Sequence, residues 1–263
     1  MTNYKKPEIL MALQKSQDID FIDFLEFNIG ESIGYNNTPL DAIPFAWTGS
    51  GGEHFCFLTD FGRIKDLERA PIIVVTPMET PPVQLVANNL KDFLKIAITV
   101  HHFECIGIQY SSLERMKKDL GLLEKITEQE SAELKKWTKD KLSLKEFLYT
   151  KFQISIMEDP CEYIFKIRKE RKDSLSIETN NEIGVVIENT STDIKVFDYE
   201  ITDISKIQCF LDNASKSEKI NFYRDATFEY ILCEDYDIEI RDLIIDELKK
   251  DGFTEEAEAL SQR

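Results

Sequence analysis

Basic charge is what this chain most lacks. Lys and Arg number 32 against 49 Asp and Glu, a formal net charge of −17, whereas nucleic-acid binding depends on a basic surface that neutralises phosphates. Ordinary nucleic-acid binding is set aside on that ground, and a basic protein partner is the electrostatic complement. Cysteine is sparse as well. Cys56, Cys105, Cys161, Cys209 and Cys233 are odd in number, widely scattered and set in apolar surroundings, which points to reduced core thiols of a cytosolic protein rather than a disulfide framework. A long apolar run is missing too: the greasiest region, 94–110, contains Lys95, His101, His102 and Glu104, so no membrane span is expected. The first residues lead into an amphipathic stretch instead of the apolar core of a signal peptide, and the expected location is the cytoplasm.

What is present suits a folded globule. Hydrophobic residues make up 42% of the 263 positions and charged residues 31%, enough apolar material for a substantial core in one large domain or two small ones. Ile9, Leu10 and Leu13 recur at helical spacing, and Ile19, Ile22, Phe24, Leu25 and Ile29 continue with a second helical pattern. Three strands are expected next. Residues 43–47 and 54–58 flank the cluster Gly49-Ser50-Gly51-Gly52, the material of a hairpin turn, and Ile72-Ile73-Val74-Val75 is a β-branched run of the kind found in a strand covered on both faces. Val83, Leu85 and Val86 make another short extended piece, after which Asn88 or Asn89 caps a helix carrying Leu90, Phe93, Leu94, Ala97 and Val100 along one stripe.

The middle of the chain reads as helical, with capping boxes at Ser111/Glu114, Thr127/Glu130 and Ser143/Glu146. Beyond Pro160, Tyr163, Phe165 and Ile167 alternate in a strand-like pattern, and 183–187 and 194–197 continue the β character. Helices return after Asp203, over 204–211, 222–232, 238–250 closed by Gly252, and 254–260. The organisation read from this pattern is a first α+β region over 1–126, a helical connection over 127–160, and a region over 161–263 of strands followed by acidic helices. No Gly- or Ser-rich linker separates them, so a single shared core stays open.

Candidate chemistry is thin. Gly49–Gly52 lacks the Gly-Lys-Ser/Thr ending of a P-loop and the third glycine of a dinucleotide fingerprint, and Ser50 lacks the context of a nucleophile elbow. His54, Cys56, His101, His102 and Cys105 invite a zinc reading, His101 and Cys105 being four apart at the end of a helix, but small apolar cysteines more often pack than ligate. Asp235 with Asp237 and Glu255 with Glu256 sit at expected helix starts, where negative charge suits the exposed N–H groups. From Tyr223 onward acidic residues far outnumber basic ones. If function lies in binding, Glu234, Asp235, Asp237, Asp242 and Asp246 are the candidate partner-binding residues, weighed against a merely solvated helical face.

The stretch 43–62 (Ile-Pro-Phe-Ala-Trp-Thr-Gly-Ser-Gly-Gly-Glu-His-Phe-Cys-Phe-Leu-Thr-Asp-Phe-Gly), with 70–77 (Ala-Pro-Ile-Ile-Val-Val-Thr-Pro) and 86–94 (Val-Ala-Asn-Asn-Leu-Lys-Asp-Phe-Leu), resembles the SUKH superfamily. That group includes yeast glucan-synthesis regulators and many bacterial immunity proteins. The resemblance covers about residues 36–100 and implies an α+β fold, a mainly antiparallel sheet packed against helices, here with a helix-rich C-terminal part. It also implies no catalytic activity and no cofactor: bacterial members bind and block polymorphic toxins, often nucleases or deaminases. The expected function is thus a non-catalytic intracellular immunity protein acting by occlusion of a basic toxin domain. A regulatory or scaffold adaptor of the same fold is the alternative, and a metal-dependent enzyme using His54, His101 and Cys105 is a third.

Overall fold

The glycine cluster does what its position between two apolar runs requires. Gly49, Gly51 and Gly52 adopt φ of 83°, 57° and 73°, and the turn closes through Thr48 N–H to the Glu53 carbonyl and Glu53 N–H to the Ser50 carbonyl. It joins β2 (Ala42–Trp47) to β3 (His54–Leu58). With β1 (Asn28–Ile29), β4 (Ile72–Val75) and β5 (Val83–Ala87), these strands form one antiparallel sheet in the order β1-β2-β3-β4-β5. A computed structural model describes residues 4–15, 25–30, 34–122, 132–188, 194–200, 203–229, 231–232 and 237–263, with the backbone alone for 132–140.

Nine α-helices accompany the sheet among the described residues: α1 (Glu8–Lys15), α2 (Leu90–Thr99), α3 (Leu113–Asp119), α4 (Ala132–Phe152), α5 (Pro160–Ser174), α6 (Ile204–Asn213), α7 (Lys216–Asp225), α8 (Ile238–Lys250) and α9 (Thr254–Ser261). The fold is α+β, as the sequence pattern and the family resemblance led one to expect. No helix among the described residues is long and apolar enough to cross a membrane.

Both faces of the sheet are covered because β3 and β4 are apolar at successive positions. Phe55, Phe57, Ile72 and Val74 point to a core shared with α1, α2 and α4. Cys56, Leu58, Ile73 and Val75 point to the opposite side, where Ile167 and Ile183 complete the packing. The first core is dominated by rings: Phe93 on α2 lies 5.1–5.5 Å, centroid to centroid, from Phe27, Phe45, Phe55 and Phe103. Asn89 starts α2 by accepting the Asp92 N–H, the cap expected from the sequence.

The C-terminal helices build a third cluster around Ile207, Leu211, Phe222, Tyr223, Ile244 and Leu248. Leu40, just before β2, and Phe61, just after β3, belong to it. Phe253 supports Phe61 at 5.2 Å. The loops flanking the central hairpin therefore carry the C-terminal layer.

The helix expected over 222–232 is instead α7, Lys216–Asp225, started by a capping box at Ser215 and Glu218 and followed by turns over 226–229, and four other expectations are corrected. Tyr163, Phe165 and Ile167 lie in helix α5, where Asp159 accepts the Glu162 N–H, Pro160 occupies the first turn, and Cys161, Ile164 and Ile167 form a buried stripe three residues apart. A local cap and a three-residue stripe outweigh an alternation with which the stripe shares only Ile167. Residues 183–187 supply an isolated bridge, Ile177 to Val185, and 194–197 contain no strand; Phe197 is instead buried against Phe210 and Phe222. Ser143 lies inside α4 rather than at a helix start. Ser112, not Ser111, caps α3 by accepting the Arg115 N–H. The Thr127/Glu130 box and the residues 19, 22 and 24 of the second helical pattern lie outside the described residues, while Ile29 lies in β1.

Candidate functional site

The chain leaves β3 through an unusual turn. Asp60, Phe61 and Gly62 take φ of 48°, 52° and 73° in succession, a left-handed course that glycine adopts freely and phenylalanine resists. Asp41, at the entry to β2, holds it: its Oδ2 accepts the Phe61 N–H at 3.1 Å, and its carbonyl accepts the N–H and hydroxyl of Thr59 at 3.0 and 2.9 Å. Strained backbone of this kind, roughly 1–3 kcal/mol per residue, persists only where neighbours over-determine it.

The neighbours form a buried charge cluster. Arg224 of α7 is fully buried and donates to Asp41 Oδ2 at 2.6 Å and to the Gly184 carbonyl at 2.9 Å, and it lies 3.9 Å from Asp60 Oδ1. Arg171 of α5 grips both Asp60 oxygens at 2.8 and 3.3 Å. Two arginines thus face two buried aspartates, each brought in by a different element. Burial lifts the proton affinity of Asp41 above the usual carboxylate range, against the pull of Arg224 and the Phe61 N–H. Asp225 is pushed up to about 7, chiefly by burial.

Asp41 also lines a cleft of about 680 Å³ between α1, β2 and α9. Its apolar walls include Leu10, Phe45 and Phe57, and its polar groups include Tyr4, Lys6, Glu255, Glu256 and Arg263. Asp41 Oδ1 has no hydrogen-bond partner although the residue is only 2% exposed. Across the cleft, Glu256 is 4% exposed, and burial together with the Asp41 and Glu255 charges pushes its carboxyl up to about 7. The Tyr4 phenol is pushed up to about 12 by burial and the same carboxylates, against the pull of Thr59. Arg263 donates to the Thr38 and Pro39 carbonyls at 2.6 and 3.4 Å, tying the last turn to the loop before β2. Buried acceptors beside aromatic and aliphatic walls are suited to a positively charged organic group.

The histidines and cysteines are used differently. His54 Nδ1 donates to the Gly52 carbonyl at 2.8 Å, and burial lowers its pKa, so Nε2 of the neutral ring accepts from the Thr38 hydroxyl at 2.9 Å. Both ring nitrogens are thereby engaged. His101 and Cys105 do not share a helix face, because α2 ends at Thr99 and Phe103–Gly107 form a 3₁₀ turn. Among the described residues no group of three or more His, Cys, Asp or Glu side chains has metal-ligating geometry.

The acidic candidates separate by role. Glu234 and Asp235 lie outside the described residues. Asp237 caps α8 by accepting the Glu239 N–H at 2.8 Å. Asp242 and Asp246 are exposed one turn apart on α8, against Arg241 at 3.0 Å and Lys249 at 3.6 Å. The inner side of that helix holds α7, with Lys219 bound to Glu247 and Asp251 at 3.2 Å each. Of the cleft residues, Asp41 and Tyr4 are not singled out by sequence reasoning, and Glu256 is noted only in its pair with Glu255 at a helix start. A lone aspartate in Leu40-Asp41-Ala42-Ile43 is the available signal for Asp41. Comparison with protein families and with curated proteins finds no match for this chain.

Proposed function

We propose that this protein is a non-catalytic binding protein that neutralises a basic toxin domain by occlusion, as the resemblance to SUKH immunity proteins implies. The observation that carries the reading is the placement of acidic charge on the C-terminal layer. Glu239, Asp242 and Asp246 are exposed on α8, interspersed with Arg241, Lys249 and Lys250, and Glu255 and Glu258 border the cleft on α9, in a chain whose formal net charge is −17. Helix α8 is joined to α7 by Lys219 with Glu247 and Asp251, α7 is joined to the entry of β2 by Arg224 and Asp41, and Phe253, between α8 and α9, packs on Phe61, so the charge is presented by a packed scaffold rather than a loose tail. Such a surface accelerates encounter with a basic cleft and fixes its register.

A direct trial is expression of the toxin-like product of the adjacent gene in cells, with and without this protein. Rescue is expected from the unaltered chain, and weaker rescue when Glu239, Asp242 and Asp246 are changed together to lysine. Undiminished killing with the unaltered chain would overturn the reading.

A further inference from the structure

We propose that the cleft between β2 and α9 is a binding site for an organic cation, an alkylammonium or alkylguanidinium group. Its head is held by Asp41 and Glu256, and its stem lies along Phe45 and Phe57. The site does not depend on the toxin-neutralising reading, since a free amine would occupy it with no protein partner present.

The first support is the state of Asp41, a residue of the cleft lining. Its Oδ2 is fixed by Arg224 at 2.6 Å and the Phe61 N–H at 3.1 Å, which leaves Oδ1, itself buried, as an acceptor without a donor. Buried polar atoms in folded proteins are nearly always satisfied, so an orphaned carboxylate oxygen on a residue that lines a cleft asks for a donor, and a ligand entering that cleft is a source of one. The second support is Glu256, which reaches the same cleft from α9 and is 4% exposed. Two buried carboxylates on opposed elements repel one another, and a donor-only cation relieves both.

The remaining lining selects the class. About 680 Å³ lies within the usual range for small-molecule clefts, and the apolar lining that includes Leu10, Phe45 and Phe57 suits a methylene stem. A bare metal ion fits poorly against walls so largely apolar. An anion would meet the carboxylates.

The charged groups around Glu256 are Asp41 beside β2, Lys65 after β3, Tyr4 before α1 and Glu255 on α9, with Lys6, Glu258 and Arg263 elsewhere in the cleft. Because the Glu256 carboxyl is pushed up to about 7, cation binding near neutrality displaces its proton, and affinity rises with pH through that region.

The full-length chain is titrated calorimetrically with agmatine, cadaverine and N-acetyl-arginine amide, with 1-pentanol as the uncharged control. Saturable binding of a cation and none of pentanol is expected. Glu256→Gln keeps the shape and removes the charge, and is expected to weaken binding by at least about tenfold and abolish its pH dependence. Ala259→Phe, filling the cleft from α9, is expected to abolish binding while the circular dichroism spectrum is retained. Binding of the free amines identifies a small metabolite as the source of the cation, and binding confined to the arginine derivative identifies a partner side chain. No binding of any cation, or binding unaffected by both substitutions, overturns the proposal.

Discussion

Replacing Arg224 by Met isolates the interaction that fastens the C-terminal layer to the sheet. Arg224 is fully buried, and its loss leaves the Asp41 carboxylate with one backbone donor, the Phe61 N–H, in a position where burial already disfavours its charge. Breaking one half of a buried ion pair costs about 3–5 kcal/mol, because the cost is that of the stranded charge. Against a total folding stability of roughly 5–15 kcal/mol, that is a large fraction. Urea unfolding followed by tryptophan fluorescence and circular dichroism should show a lower midpoint with an unchanged slope. Adding Asp41→Asn removes the stranded charge while its side-chain oxygen can still accept the Phe61 N–H, so the double variant should recover more than half of the loss. The penalty should also depend on pH. With Arg224 gone, the folded-state pKa of Asp41 rises further above its unfolded value, so stability falls as pH rises through that window and the single variant lies nearer the parent in acid. A loss below about 1 kcal/mol, or a double variant no better than the single, would refute the stranded-charge account.

Two further outcomes follow from the packing and the cleft. Phe93→Ala removes a fully buried ring in contact distance of four others and should cost about 3–5 kcal/mol in the same unfolding assay; a cost near that of a surface substitution would show that the ring cluster is not the main core. Glu256→Gln should stabilise the protein at about pH 8 by on the order of 1–3 kcal/mol and do little at about pH 5. Its folded carboxyl is pushed from an ordinary 4.5 up to about 7, so the folded state holds the proton more tightly and loses stability as pH rises between those values. An equal gain in melting temperature at both pH values would exclude titration of Glu256 as the cause.

Strands β2 to β5 were legible because their signals are local, whereas β1, only two residues long, was read as part of a helical pattern. A glycine turn between apolar runs, the β-branched run at β4 and the Asn89 cap each act within a few residues. Helix α8 was legible over its whole length, since Asp237 caps its start and Gly252, at φ of 85°, follows its end. Helix α5 was misread because Ile167 satisfies both a two-residue alternation with Tyr163 and Phe165 and a three-residue stripe with Cys161 and Ile164. The cap at Asp159 decides between them. The cleft was not legible at all. Asp41 and Arg224 are 183 positions apart and Arg171 and Asp60 are 111 apart, so no spacing rule joins them. Of the acidic candidates, Asp237 proved to be a cap, whereas Asp242 and Asp246 kept the outward position their helical spacing implies.

The proposal that the acidic surface of this protein occludes a basic toxin domain meets its sharpest trial when the purified product of a toxin-like reading frame found beside the gene is titrated with the purified protein while its activity is followed. An equimolar, salt-sensitive complex that abolishes activity is predicted, with association slowed when Glu239, Asp242 and Asp246 are replaced by lysine. Full toxin activity in the presence of excess protein would contradict it.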